Sequence, residues 1–171
     1  MAEIPSTPAD GNVAVWLVPA IADTTAPKLT ELNAAGAVDI SCYLTSDGYT
    51  TSLDQQVISD ERLCSTEVYE QPGRVSRTLS VTYIDNTNSP NEATANKAKD
   101  TLVPGSVHYV VVRRGKAFDT AFAAGDKVTV TPVKAGQYDD VAPEANSVLK
   151  TTQKLFITER TQSDVAVAAG V

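Results

Sequence analysis

Apolar and polar positions along this chain alternate more often than they recur at helical spacing, which points to strands. Within residues 38–44, Val38, Ile40, Cys42 and Leu44 fall on one side, and Asp39, Ser41 and Tyr43 on the other. The clearest period of two spans residues 74–84. There Val75, Arg77, Leu79, Val81 and Tyr83 face away from Ser76, Thr78, Ser80 and Thr82. Gln71-Pro72-Gly73 precedes this run, and Pro-Gly is type II turn chemistry. Residues 61–84 are therefore expected to form a long antiparallel hairpin reversing at Pro72-Gly73. Residues 13–18, 106–112, 127–133 and 149–159 supply further strands, with a loop at 134–146. Residues 28–35 carry a one-turn helical signal. A second helix is expected over 90–102, where Ser89 caps, Pro90 takes the first position and Glu92 completes a capping box.

Between these elements lies a polar stretch, residues 45–60, with few periodic apolar positions. It reads as a long loop, and loops of that length in a compact domain are usually functional or mobile. The resulting division is an N-terminal arm (1–12), a β-domain (13–159, with the loop 45–60 and the helix 90–102) and a C-terminal tail (160–171) that ends in small apolar residues, 164–171. The fold class is mainly β, a β-sandwich or half-barrel with one α-helix.

Composition narrows the function. The 171 residues carry 14 Lys plus Arg against 21 Asp plus Glu, a net charge of -7. Such a chain lacks the cationic surface that tight nucleic-acid binding requires. Two cysteines, Cys42 and Cys64, and one histidine, His108, do not make a zinc set. The cysteines read as small apolar fillers of strands, although spacing alone leaves a Cys42–Cys64 disulfide open. The first basic residue is Lys28, and the apolar stretch 13–22 is broken by Pro19. That leaves no charged start for a secretory signal and falls short of the ~20 apolar residues of a membrane span. Synthesis in a cytosol is expected.

Catalytic signatures are missing. His108 lies between Val107 and Tyr109 in an apolar strand and reads as a packed histidine, not a base. The adjacent carboxylates Asp60-Glu61 and Asp139-Asp140 read as solvated turns, against a glycosidase pair. Asp47-Gly48-Tyr49 begins like a calcium loop, but the remaining oxygen ligands do not follow. Arg113-Arg114-x-Lys116 reads as a strand end blunted by charge or paired with a neighbour. No metal, cofactor or enzymatic activity is expected. Residues 45–70 hold six carboxylates and one base, Arg62, so this region is either a solvated hairpin face or a surface that must not bind a polyanion.

The order of these elements carries a resemblance. An acidic Pro-rich arm and a strand lead to VDISCYLTSDGYT and the hairpin ERLCSTEVYEQPGRVSRTLSVTYI. The helix SPNEATANKAKDTL, the block VHYVVVRRGKAFDTAFAAGDKVTVTPV and the strand KLFITE follow. Together they resemble the major tail protein, the tail tube subunit, of long-tailed non-contractile bacteriophages, especially those of actinobacterial hosts.

The resemblance implies sheets of six subunits closing into a β-barrel, with the helix outside. Hexameric rings would stack into a tube in the virion, assembled in the host cytoplasm. The tape measure protein would fill the lumen, tail terminator and tail-tip proteins would close the ends, and double-stranded DNA would pass through unbound. The inter-ring loop would include Asp47, Gly48, Tyr49, Asp54, Gln55 and Gln56, and the acids facing the lumen would include Glu61, Glu67 and Glu70. Alternatives are a β-sandwich carbohydrate-binding or adhesion module, a small hydrolase, or the tube protein of a contractile tail or secretion system.

Overall fold

A computed structural model describes residues 3–170; Met1, Ala2 and Val171, the outermost residues of the expected arm and tail, lie outside it. Eight strands form one antiparallel sheet that curls into a half-barrel. They are β1 (Val13–Val18), β2 (Val38–Asp39), β3 (Leu44–Asp60), β4 (Tyr69–Ile84), β5 (Val107–Arg114), β6 (Lys127–Asp140), β7 (Lys150–Ile157) and β8 (Gln162–Ala166). The order across the sheet is β2-β1-β5-β6-β7-β4-β3, and β8 pairs with the start of β6. Three short helices, α1 (Leu29–Leu32), α2 (Glu92–Ala95) and α3 (Lys97–Thr101), pack at its margins. No helix among the described residues is long and apolar enough to cross a membrane.

The alternation of each strand divides its side chains between two apolar clusters. Val15, Leu17, Leu79, Val81, Tyr83, Val110, Val112, Val133 and Leu155 fill the inside of the curl, closed by Ala98 and Leu102 from the α3 segment. Val18, Val111, Val128 and Val130 point to the opposite face, where Ile21, Leu32, Phe122 and Val167 cover them. Each such Val or Leu contributes about 1.5–3 kcal/mol by leaving water. Trp16 packs edge-on against Phe122, centroids 5.5 Å apart, at the margin of the second cluster.

Several expectations change. Residues 45–60 are not a loop but the body of a 17-residue strand. Nearly all of its side chains beyond Tyr49 are exposed, so neither face leaves an apolar period. Pro72-Gly73 does not reverse the chain. It sits inside β4 at a bulge, because Val57 pairs with Pro72 while Gln55 pairs with Val75. Proline cannot donate to a ladder, and a bulge accommodates that loss. The hairpin reverses at residues 61–68. The expected helix over 90–102 is broken into α2 and α3 at Asn96. That residue is buried, and its side-chain carbonyl accepts a hydrogen bond from the Asn86 N–H (3.2 Å), which draws its backbone out of the helix.

Strand β2 ends at Asp39, and β6 runs on to Asp140 through the expected loop. The small-residue tail adds strand β8 to its own sheet. Its Val167 N–H donates to Asp126, and the Ala168 N–H to Pro27. Cys42 and Cys64 are free and exposed, in the turn before β3 and in the hairpin reversal, and are not strand fillers.

Candidate assembly surfaces

Strand β7 meets β4 only over Leu79 to Ile84, so the rest of β4 has β3 as its sole partner. The hairpin therefore leaves the body of the sheet as a two-stranded arm. At about 3.3 Å per residue, residues 52–60 carry it roughly 30 Å outward. An isolated two-stranded hairpin is marginal in water, yet this one keeps Leu53, Val57, Ile58, Val68, Tyr69 and Val75 about half exposed. Leu63, at its tip, has no cover at all. Apolar side chains held on a projecting ladder mark an interaction surface.

The arm is anchored at its base by the residues the sequence grouped as a loop. A second bulge separates the Leu44–Tyr83 pair from the Tyr49–Val81 pair. In it, the Asp47 carboxylate accepts a hydrogen bond from the Thr45 hydroxyl (2.8 Å), which holds its pKa below the ordinary value. Gly48 is buried against β4, where a Cβ would lie 2.2 Å from the Thr82 carbonyl oxygen. Tyr49 turns inward, and burial pushes its phenol up against the opposing pull of Arg114 and Arg77. Asp54, Gln55 and Gln56 stand further out on the exposed strand.

Glu61, Glu67 and Glu70 gather at the far end, all exposed. There Arg62 pairs with Asp60 at 2.8 Å, and the Ser65 hydroxyl bonds both backbone groups of Glu67. The six loop candidates thus split into an anchor, 47–49, and a projecting segment, 54–56.

Among the described residues, two edges stand open on the long strands. No described strand covers the outer side of β3. At the other side, β5 accompanies β6 only as far as Lys134, so residues 138–140 pair with β7 alone. By contrast, the β1 edge is closed: the Ile40 N–H donates to the Val15 carbonyl, and the Val15 N–H donates to the Ser41 hydroxyl (2.8 Å). Between the open edges runs a four-stranded surface of β3, β4, β7 and the second half of β6. Its face away from the core carries Thr50, Ser52, Asp54, Ser76, Thr78, Ser80, Thr82, Lys134, Lys150, Thr152, Lys154 and Asp139, with Ile84 and Phe156 its large apolar side chains in the body of the sheet. The sequence reading caught the β4 half of this face through its alternation. It missed the β7 half, where Thr151, Gln153 and Leu155 alternate with Thr152, Lys154 and Phe156 just as visibly.

The polar clusters brace this framework. Arg113, expected at a blunted strand end, is 1% exposed. Its guanidinium donates to the carbonyls of Ala117 (2.9 Å), Thr120 (2.6 Å) and Ala121 (3.1 Å) and meets Asp126 at 3.4 Å. Asp126 also accepts from Lys116. Burial alone would raise the Asp126 pKa, but the Lys116 hydrogen bond and the surrounding donors hold it below the ordinary value. The cluster pins the segment between β5 and β6 over the second apolar cluster.

On the far side of the sheet, Asp85 accepts from Lys99 (2.7 Å) and Thr151 (3.0 Å). Burial pushes its carboxyl up, and the hydrogen bonds from Lys99, Thr87 and Thr151 overcome this and hold it well below the usual range. His108 is half-buried in β5, with Nε2 3.1 Å from the Thr101 carbonyl; burial lowers its pKa and the Thr101 contact raises it. Asp60 and Glu61 sit at the arm tip and Asp139 and Asp140 on β6, so these carboxylate pairs do not converge. No group of three or more His, Cys, Asp or Glu among the described residues is placed to hold a metal ion.

Open edges and a projecting, partly apolar arm leave backbone and apolar groups without partners around a braced interior. The chain belongs to the phage tail tube protein family, which it matches over residues 1–170. It is a structural component of a phage tail, and hence of the virion. No curated protein matches the chain in sequence. Among solved structures it is similar to a chain of the six-fold symmetrised cryo-EM structure of the anti-feeding prophage baseplate. The two share 15% identity at a TM-score of 0.54, covering 93% of this chain and 98% of that one. At that identity the likeness is one of fold.

Proposed function

We propose that this chain polymerises as stacked hexameric rings into the tail tube through which the double-stranded genome is delivered. The observation that carries the reading is the unfinished four-stranded surface, open at β3 and at residues 138–140 of β6. Exposed edges invite pairing with another chain, and closure into a barrel removes them. Edge-to-edge contacts of this kind are heterologous and close into rings. Six copies of four strands would make a barrel of roughly 24 strands. The arm, anchored at Asp47, Gly48 and Tyr49 and projecting through Asp54, Gln55 and Gln56, would reach the neighbouring ring.

The hydroxyl-rich face would then line the channel. The face holds Lys134, Lys150 and Lys154 against Asp54 and Asp139 among its hydroxyls, and the chain carries -7 overall. So few cations give phosphate little to grip, and DNA would pass without sticking. During assembly in the host cytoplasm the tape measure protein would occupy the lumen, and terminator and tip proteins would close the ends. Negative-stain microscopy of the concentrated pure protein tests the reading. Hollow tubes or six-fold rings are expected; monomers at every concentration would overturn it.

A further inference from the structure

The strand directions give the half-barrel two distinct ends. At the arm end lie the base of the arm, the close of β5 and the β7–β8 turn; at the far end lies the β6–β7 connection, residues 141–149. The arm end holds a hollow of about 300 Å³, adjoining a second of about 550 Å³ across Tyr49 and Arg114. The first has an apolar floor of Leu79, Val112 and Ile157, two arginines, Arg77 and Arg114, and no carboxylate in its lining. Neither arginine is in an ion pair among the described residues. The Thr161 hydroxyl is buried under it without a hydrogen-bond partner. An unpaired cationic hollow with an orphaned hydroxyl is a site short of an occupant.

The far end offers the complement. Residues 141–149 form no strand and expose Val148 and Leu149. Glu144 lies among them and Asp140 flanks them, and their one ion pair among the described residues is the 3.6 Å approach of Glu144 to Lys150. Head-to-tail stacking brings this acidic, apolar end of one copy onto the cationic, apolar hollow of the next. We propose that residues 140–149 of one subunit dock in the Arg77–Arg114 hollow of a subunit in the adjacent ring, beside the base of its arm. The inference rests on the tube reading and adds to it the seat that fixes the direction of stacking. The glutamates at the arm tip play no part in this contact.

The test uses the full chain. A variant with Arg77→Glu and Arg114→Glu, and another with Asp140→Arg and Glu144→Arg, should each raise the concentration needed for tube growth about tenfold or more. All four substitutions in one chain should restore growth to near the unmodified level. Unimpaired tubes from both reversals, or no recovery in the combined chain, would overturn the docking. A second measurement does not depend on charge. In a chain with Cys42→Ser and Cys64→Ser, cysteines introduced by Ser147→Cys and Ser163→Cys should oxidise to an interchain ladder on non-reducing gels. A single monomer band from assembled tubes would also overturn it. If the unmodified chain forms no tubes, the tube reading fails first; if it forms tubes while rescue and ladder fail, only the docking is lost.

Discussion

Excising residues 54–76 and joining Leu53 to Arg77 through Asn-Gly separates folding from assembly. Leu53 and Arg77 are cross-strand partners, and a two-residue turn of this type matches the twist of the strands it joins. No residue removed belongs to either apolar cluster. What is lost is a set of exposed cross-strand pairs, each worth about 0.2–1 kcal/mol. A two-stranded arm is marginal by itself and opens independently of the core, so its loss should leave the stability of the body within about 2 kcal/mol. That corresponds to roughly 4–8 °C in the melting temperature of a domain this size. Thermal melts by circular dichroism should therefore show a cooperative, near-native transition. Sedimentation and electron microscopy of the same sample should show no tubes. Tubes of normal length from the shortened chain would refute the stacking role. A collapse of the melt would refute the separation of arm from core.

Three other perturbations probe the braces. Asp126→Ala strands the Arg113 guanidinium in the interior and should cost about 3–5 kcal/mol, read by urea denaturation; a loss under about 1 kcal/mol would contradict the bracing role. Asp85 has a folded pKa below its unfolded value near 3.9, so its stabilisation is full above that value and is lost as pH falls through the lower folded one. Asp85→Asn should lower stability at neutral pH and flatten the acid limb of the stability profile; an unchanged acid slope would contradict the linkage. Gly48→Ala places a methyl against the Thr82 carbonyl and the Thr45 amide, neither of which can turn aside, and should destabilise the arm base by about 1–3 kcal/mol in the same denaturation assay. Wild-type stability there would contradict the close approach.

The body of the fold was legible wherever one face of a strand is buried. Leu79, Val81 and Tyr83 alternate because a core selects every second side chain, and the order of elements carried the family. The arm was illegible for the converse reason. Beyond Tyr49, strand β3 has water on both faces, so its sequence obeys no period and reads as a loop. Pro72-Gly73 misled because one dipeptide serves a turn and a bulge, and only the pairing with Gln55 and Val57 tells them apart. Asn96 shows a tertiary hydrogen bond overriding a good helix start. The candidate residues of the arm were found as a region, but their division into anchor and projection needed the register with β4.

Cryo-electron microscopy of the assembled protein, at a resolution that traces strands, tests the central claim most directly. The outer edge of β3 in one copy should lie within hydrogen-bonding distance of residues 138–140 of the next, with Ser80, Thr82 and Thr152 facing the channel. Adjacent copies joined through side chains alone, with both edges left in solvent, would contradict it.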